Sequence, residues 1–407
     1  MTAVDLRSSV RWWSHPATLW VAFIAVHVWL MWLGLVVSRG SLGDVTGVYP
    51  FWVQGLLNGQ FVVGVDTPWV YPIVALVPLL VPALAGMGNY VVSWLIMVSI
   101  LDLVAFFFLV RGARVPSARP LAAWWWILSL LALGPVALGR IDSVVTPIAI
   151  LGLLFLLTRP ALAGVLLALG TWLKVWPVAL VASAFILLRR RWALVAGGAL
   201  FSGVVIAVGL VLGAGVNLFS FLGFQGSRGL QIESPAATPF LWLASLGDAS
   251  TQIYFDKDML TYQVSGPGVS AVASVMTALM AGAVLVVAAV TLWRLRHARA
   301  PIAYLPASSL AFVLALIAFN KVGSPQYFCW LIPPILLGLL LDRARFVPLA
   351  VIALASILLT QMVYPWMYDD VLELKPMALV FLSVRNLSEV ALFGYALALV
   401  ARRRQVT

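Results

Sequence analysis

One alternation constrains this chain more than any other feature: long apolar runs are separated by short clusters of arginine. The clusters are Arg7/Arg11, Arg111/Arg114/Arg119, Arg159, Arg189/Arg190/Arg191, Arg294/Arg296/Arg299, Arg343/Arg345 and Arg402/Arg403/Arg404. Runs such as Leu19 to Val37 carry no Asp, Glu, Lys or Arg and are long enough to span a bilayer. Only 10% of the residues are charged and 63% are hydrophobic, whereas a soluble domain carries roughly a quarter charged residues. So few charges cannot cover a globular surface, and a disordered chain needs the opposite balance. The expectation is an all-α polytopic membrane protein. At roughly 20 residues per span, the length allows about ten to twelve spans.

The arginine clusters also orient the chain. Placing all of them in the cytoplasm collects 17 of the 25 basic residues there and puts both termini inside. The net charge of +11 then reads as an orientation signal rather than as a surface for nucleic acid. Twelve spans follow, at roughly 18–38, 88–110, 121–138, 143–158, 161–176, 177–189, 193–214, 269–293, 303–319, 327–341, 346–363 and 379–401, in a single domain over 1–407. Several central spans are short for a bilayer, which makes tilted, bent or re-entrant segments expected there. The first span, preceded by Arg7 and Arg11, reads as an uncleaved signal anchor. Two long outer loops are expected, at about 39–89 and 214–269. The apolar stretch Trp69 to Met87 carries Pro72, Pro78 and Pro82, which disfavour a straight helix, so it is placed in the first loop as a juxtamembrane or re-entrant segment.

Metal and cofactor chemistry have little to draw on. There is one cysteine, Cys329, and the three histidines, His15, His27 and His297, are scattered, so neither a metal site nor a cofactor is expected.

Polar groups in or at the edge of a membrane are costly and need a reason. Asp44, after the first span, is either the N-cap of a helix over 45–59 or a carboxylate facing a site. Asp66, in Asp66-Thr67-Pro68, is a turn opener or a second acid. Arg140 and Asp142, in the hairpin between the third and fourth spans, either pair with each other or serve a site. Lys174 either snorkels beside Trp176 or faces an anion. Arg228, Gln231 and Glu233 alternate with small or apolar residues in the second outer loop, an extended segment with its polar groups to one side. Lys321 and Gln326 lie in the breaker-rich link Asn320 to Tyr327. Arg385 and Glu389 are four apart in the last span, placed to pair or, for Arg385, to face a cavity. Asp102 lies mid-span with no partner in its own helix. Most of these groups fall at the outer end, where carboxylates suit general-base chemistry and cations suit a phosphate group.

The chain resembles glycosyltransferase family 87, of the GT-C superfamily. The likeness is carried by Gly43-Asp44 through Trp52 and Gly59, Asp66 to Pro72, Gly139-Arg140-Ile141-Asp142, Ala163-Gly164 through Lys174 and Pro177 with Arg189-Arg190-Arg191-Trp192, Arg228 to Ser234, and Ser324-Pro325-Gln326-Tyr327. The resemblance implies a GT-C fold with juxtamembrane helices in the first outer loop. It implies a polyprenyl-phosphate sugar as donor, mannose or arabinose, and it places the family's catalytic base on Asp44. The mannosyltransferases of this family that act on phosphoinositides carry histidine where this chain has Gln326 to Trp330, which leaves sugar and acceptor open.

Together these readings give a plasma-membrane enzyme with its active site outside. It would move a sugar from polyprenyl phosphate to a glycolipid or glycan acceptor, with inversion. Asp44 is the expected base, and Asp66 and Asp142 are the second acids. Arg228, Lys174, Lys321, Arg385, Gln231, Glu233, Arg140 and Gln326 are the expected donor contacts. A flippase for lipid-linked sugars is the competing class; it would need polar groups reachable from both faces.

Overall fold

The computed structural model describes residues 12–37, 40–112, 118–257 and 259–402. Arg7, Arg11, Arg114, Arg403 and Arg404, which entered the topology above, lie outside the described residues.

Each of the twelve expected spans coincides with a helix. Eight of these helices are long and apolar enough to cross a membrane: Pro16–Val36, Met87–Arg111, Arg119–Ala137, Arg191–Val211, Val269–His297, Pro301–Ala318, Arg343–Trp366 and Pro376–Ala401. The other four, Ile141–Phe155, Pro160–Leu173, Val178–Leu187 and Pro325–Leu341, are shorter. The 10 residues of Val178–Leu187 rise only about 15 Å, roughly half a hydrocarbon core. The cause is local. Lys174 leaves the helix in an extended conformation, and Pro177 enters the next one as its cap. The turn Lys174–Pro177 is therefore recessed between its neighbours.

Close packing holds these helices together. A side chain on Gly164 would collide with the Leu194 carbonyl, and one on Gly197 with that of Ala161, so Pro160–Leu173 and Arg191–Val211 meet backbone to backbone. Leu305–Ala318 is buried along nearly its whole length and forms the centre of the bundle. Asp102 has its partner: His27 on the first helix, with Nε2 3.1 Å from Oδ2. His27 Nδ1 lies 2.9 Å from the Phe23 carbonyl and must donate to it, so one proton is shared between Nε2 and Oδ2.

The stretch from Trp69 to Met87 is a chain of short helical turns, not one helix. Its Val77, Val81 and Leu84 are exposed. The second outer loop departs from a purely helical reading. It holds β1 (Leu230–Gln231), β2 (Gln252–Asp256) and β3 (Thr261–Ser265), an antiparallel sheet in the order β1-β3-β2. A second apolar cluster, including Leu230, Ile232, Val264 and Leu382, fastens this sheet to the last helix.

Candidate active site

The polar groups expected at one end converge on a cavity of about 560 Å³. Its walls come from the two long loops at about 39–89 and 214–269, from the start of Ile141–Phe155, from the turn at Lys174, and from the link at residues 320–330. Asp44, Arg140, Lys174, Arg228, Gln231, Glu233 and Gln326 all line it.

Asp44 is not a helix cap. It opens a π-helical turn, Asp44–Val48, that runs into the helix Tyr49–Leu57. Each oxygen of its carboxylate has a partner. Arg140 Nη1 lies 2.7 Å from Oδ1, and the Tyr49 hydroxyl donates to Oδ2 at 3.3 Å. Arg140 in turn donates from Nη2 to the Tyr364 hydroxyl at 3.1 Å, and Tyr364 donates to the Gly40 carbonyl at 2.9 Å. Burial opposes the Arg140 charge, but Asp44 and the surrounding tyrosines outweigh it and keep the guanidinium protonated.

Asp142 forms a second, separate centre. Lys174 Nζ lies 2.8 Å from Oδ2, and the Trp330 indole donates to Oδ1 at 2.6 Å. Trp330 is itself stacked on Trp176, with centroids 5.6 Å apart. Lys174 therefore does not snorkel to an interface. Nor do Arg140 and Asp142 pair with each other; each takes its partner from elsewhere. The two carboxylates differ in access: the Asp44 side chain is 28% exposed and that of Asp142 is 0% exposed. Asp44 is the one open to the cavity.

The segment Arg228 to Glu233 supplies a third wall. Leu230 and Ile232 turn into the core with 0% exposure, while Arg228, Gln231 and Glu233 reach the cavity. Arg228 Nε, Gln231 Oε1 and Glu233 Oε2 are all buried without a hydrogen-bond partner. Buried polar atoms are nearly always satisfied; Glu233 Oε2 faces Arg385 Nη1 at 3.6 Å, which leaves the Arg228 donor and the Gln231 acceptor calling for a ligand that offers an anion and a hydroxyl group. Burial pushes the Glu233 carboxyl up to about 7, with Arg385 and Arg140 opposing it.

Asp142 does not line the cavity, and three more of the expected site residues stand off its wall. Asp66 Oδ2 accepts the Val62 N–H at 2.8 Å, which is the turn-closing role. Lys321 gives its carbonyl to the Gln231 N–H at 3.0 Å, and burial together with the nearby Arg228 charge lowers its pKa. Arg385, 1% exposed, is committed to protein. It donates to the Glu233 carbonyl and to Asn386 and lies 3.6 Å from the carboxylates of both Glu233 and Glu389. These contacts are spent on positioning the Glu233 loop.

Tyr49, Tyr71, Trp330 and Tyr364 were not anticipated from the sequence. Aromatic residues abound in this chain, and only the fold separates these four from the rest. Burial and the nearby carboxylates raise the pKa of Tyr49 and of Tyr71, so both remain hydrogen-bond donors.

With Asp44 paired to Arg140, Asp142 to Lys174 and Glu233 facing Arg385, the charge left over on the cavity lining is that of Arg228. Among the described residues no three His, Cys, Asp or Glu side chains gather as a metal would require. Val178, Met280 and Leu316, from three different helices, add apolar side chains to the lining.

Residues 69–319, well over half the chain, match the family model described as Glycosyltransferase family 87. No curated protein and no solved structure matches the chain. The matched stretch includes Arg140, Asp142, Lys174 and Arg228 to Glu233. Asp44 precedes it, so its assignment rests on geometry and on the resemblance in the first loop.

Proposed function

The chain belongs to glycosyltransferase family 87 and is a membrane glycosyltransferase of the GT-C type; from that premise we propose that it transfers a sugar, mannose foremost, from a polyprenyl-phosphate donor to a glycolipid or glycan acceptor of the cell envelope. The observation that carries this reading is the composition of one cavity. It holds an accessible carboxylate, a cation with an unpartnered buried N–H, an unpartnered acceptor on Gln231 and apolar lining residues. Those four features match in turn an acceptor hydroxyl, a phosphate, a sugar hydroxyl and a lipid chain.

In this reading Asp44 takes the proton from the acceptor hydroxyl as its oxygen bonds to the anomeric carbon. The bond from that carbon to the phosphate oxygen breaks, and its electron pair leaves with polyprenyl phosphate. Arg228 stabilises the departing charge, and Gln231 and Glu233 accept from sugar hydroxyls. One base and no covalent carboxylate give inversion. The side of the membrane follows from charge. Arg140 and Lys174 mark the cavity ends of two helices whose other ends flank Arg159, and the arginine clusters favour the cytoplasm. The site then faces outside, where lipid-linked donors replace nucleotide sugars.

The test is purified protein in lipid nanodiscs, supplied with radiolabelled polyprenyl-phosphate mannose or arabinose and with cell-envelope extract. Transfer from one of these donors, lost in Asp44→Asn, supports the reading. Movement of the donor across vesicles without transfer contradicts it.

A further inference from the structure

The first outer loop enters its helix through a π turn, and that turn has a consequence for Asp44. The Tyr49 N–H donates to the Asp44 carbonyl, five residues back. In a regular α-helix, residue i+5 points about 140° away from residue i. The wider π turn returns it nearly above residue i. Tyr49 thus stands over the Asp44 carboxylate and donates to Oδ2, while its own oxygen accepts the Ile141 N–H at 2.9 Å. Ile141 directly follows Arg140, which holds the other oxygen, Oδ1. Both carboxylate oxygens are therefore tied to two consecutive residues at the start of one helix, Oδ1 directly and Oδ2 through Tyr49. The terminal torsion of an aspartate is soft when the carboxylate is free; held at two points, it is not. Tyr49 has 0% exposure and its ring packs against Trp94, centroids 5.0 Å apart; besides Asp44, its hydroxyl has Tyr71 within hydrogen-bond reach. The 3.3 Å separation is long for a hydroxyl on a carboxylate, as catalytic contacts often are before substrate is bound.

We propose that Tyr49 is a positioning residue for Asp44, put in place by the π turn, that fixes the plane of the carboxylate so that it meets the acceptor hydroxyl. This rests on Asp44 being the base. A purely structural role, pinning the loop to Ile141, would act on folding and binding and not through Asp44.

The experiment measures transfer from radiolabelled short-chain polyprenyl-phosphate mannose, or arabinose if that is the donor used, to octyl mannoside by protein in nanodiscs. Donor affinity and melting midpoint are recorded for every variant. Tyr49→Phe is expected to lower kcat between about 10- and 100-fold with donor affinity unchanged. Tyr90→Phe removes a buried tyrosine hydroxyl that donates to the Leu79 carbonyl and is expected to leave kcat unaltered. In the Asp44→Glu background, which keeps a carboxylate but displaces it, Tyr49→Phe is expected to cost less than in the unmutated protein. Replacing Tyr49 by 3-fluorotyrosine nearly keeps the shape and makes the hydroxyl more acidic; a changed kcat is expected there too. Wild-type kcat in Tyr49→Phe, or an equal loss in the unmutated and Asp44→Glu backgrounds, overturns the proposal while the base reading stands. Wild-type transfer by Asp44→Asn, or no transfer by the unmutated protein, removes the base reading itself.

Discussion

Arg140 pairs with Asp44 at 2.7 Å, across 96 positions of chain, and not with Asp142 two residues away. Asp142 points instead to Lys174. Two short crossed pairs therefore tie the first outer loop, the hairpin at residues 139–142 and the recessed turn at residue 174 into one wall.

The crossed pairing predicts separable failures. Arg140→Gln breaks the first pair alone, so kcat is expected to fall at least about tenfold with the melting midpoint little changed, because Asp44 is partly open to solvent. A midpoint drop as large as that of the Lys174 variant below would show that the pairs are not independent.

Lys174→Met leaves the Asp142 carboxylate buried without its cation. Removing one partner of a buried pair costs on the order of 3 kcal/mol, seen as a lower melting midpoint in detergent. The double variant Lys174→Met/Asp142→Asn is expected to recover most of it. Full stability in the single variant would mean that Lys174 serves the ligand and not Asp142.

Gly323 meets the backbone of Glu233, and any side chain there would collide with it. Gly323→Ala is expected to push the Arg228–Glu233 segment off the link at residues 320–326. Donor binding weakens, while the helical bundle, measured by circular dichroism, stays intact. Unchanged donor affinity would show that this contact does not set the wall.

Glu233 links stability to pH. Its carboxyl is raised from 4.5 to about 7 in the folded protein, so folding favours the protonated form. The contribution is fully present below about 4.5, the unfolded value, and is lost as pH rises through about 7. The melting midpoint is expected to decline across this interval, and Glu233→Gln is expected to flatten that decline. A midpoint that rises over the same interval in the unmutated protein would carry the opposite sign.

Much of the scaffold was legible in the chain because two strong signals coincide in it. Uncharged runs such as Leu19 to Val37 set the spans, and arginines such as Arg189 to Arg191 close them. The three prolines between Trp69 and Met87 foretold a broken segment. The hairpin Gln252–Asp256 with Thr261–Ser265 did carry a period-two signal in Ile253, Phe255, Tyr262 and Val264, overshadowed by the helical character of everything around it. The site was legible as a set of residues and not as a set of partners. Asp102 meets His27 from 75 residues away, and Arg385 reaches Glu233 across 152. Nothing local marks such pairs. Tyr49 was invisible for a different reason: position i+5 faces away in an α-helix, and only the π turn brings it over Asp44.

The most direct measurement compares Asp44→Asn with unmutated protein in nanodiscs, reading both sugar transfer and donor binding with the same radiolabelled polyprenyl-phosphate mannose or arabinose. The account predicts that transfer falls to background while donor affinity and melting midpoint hold. Transfer by Asp44→Asn at the unmutated rate would contradict it.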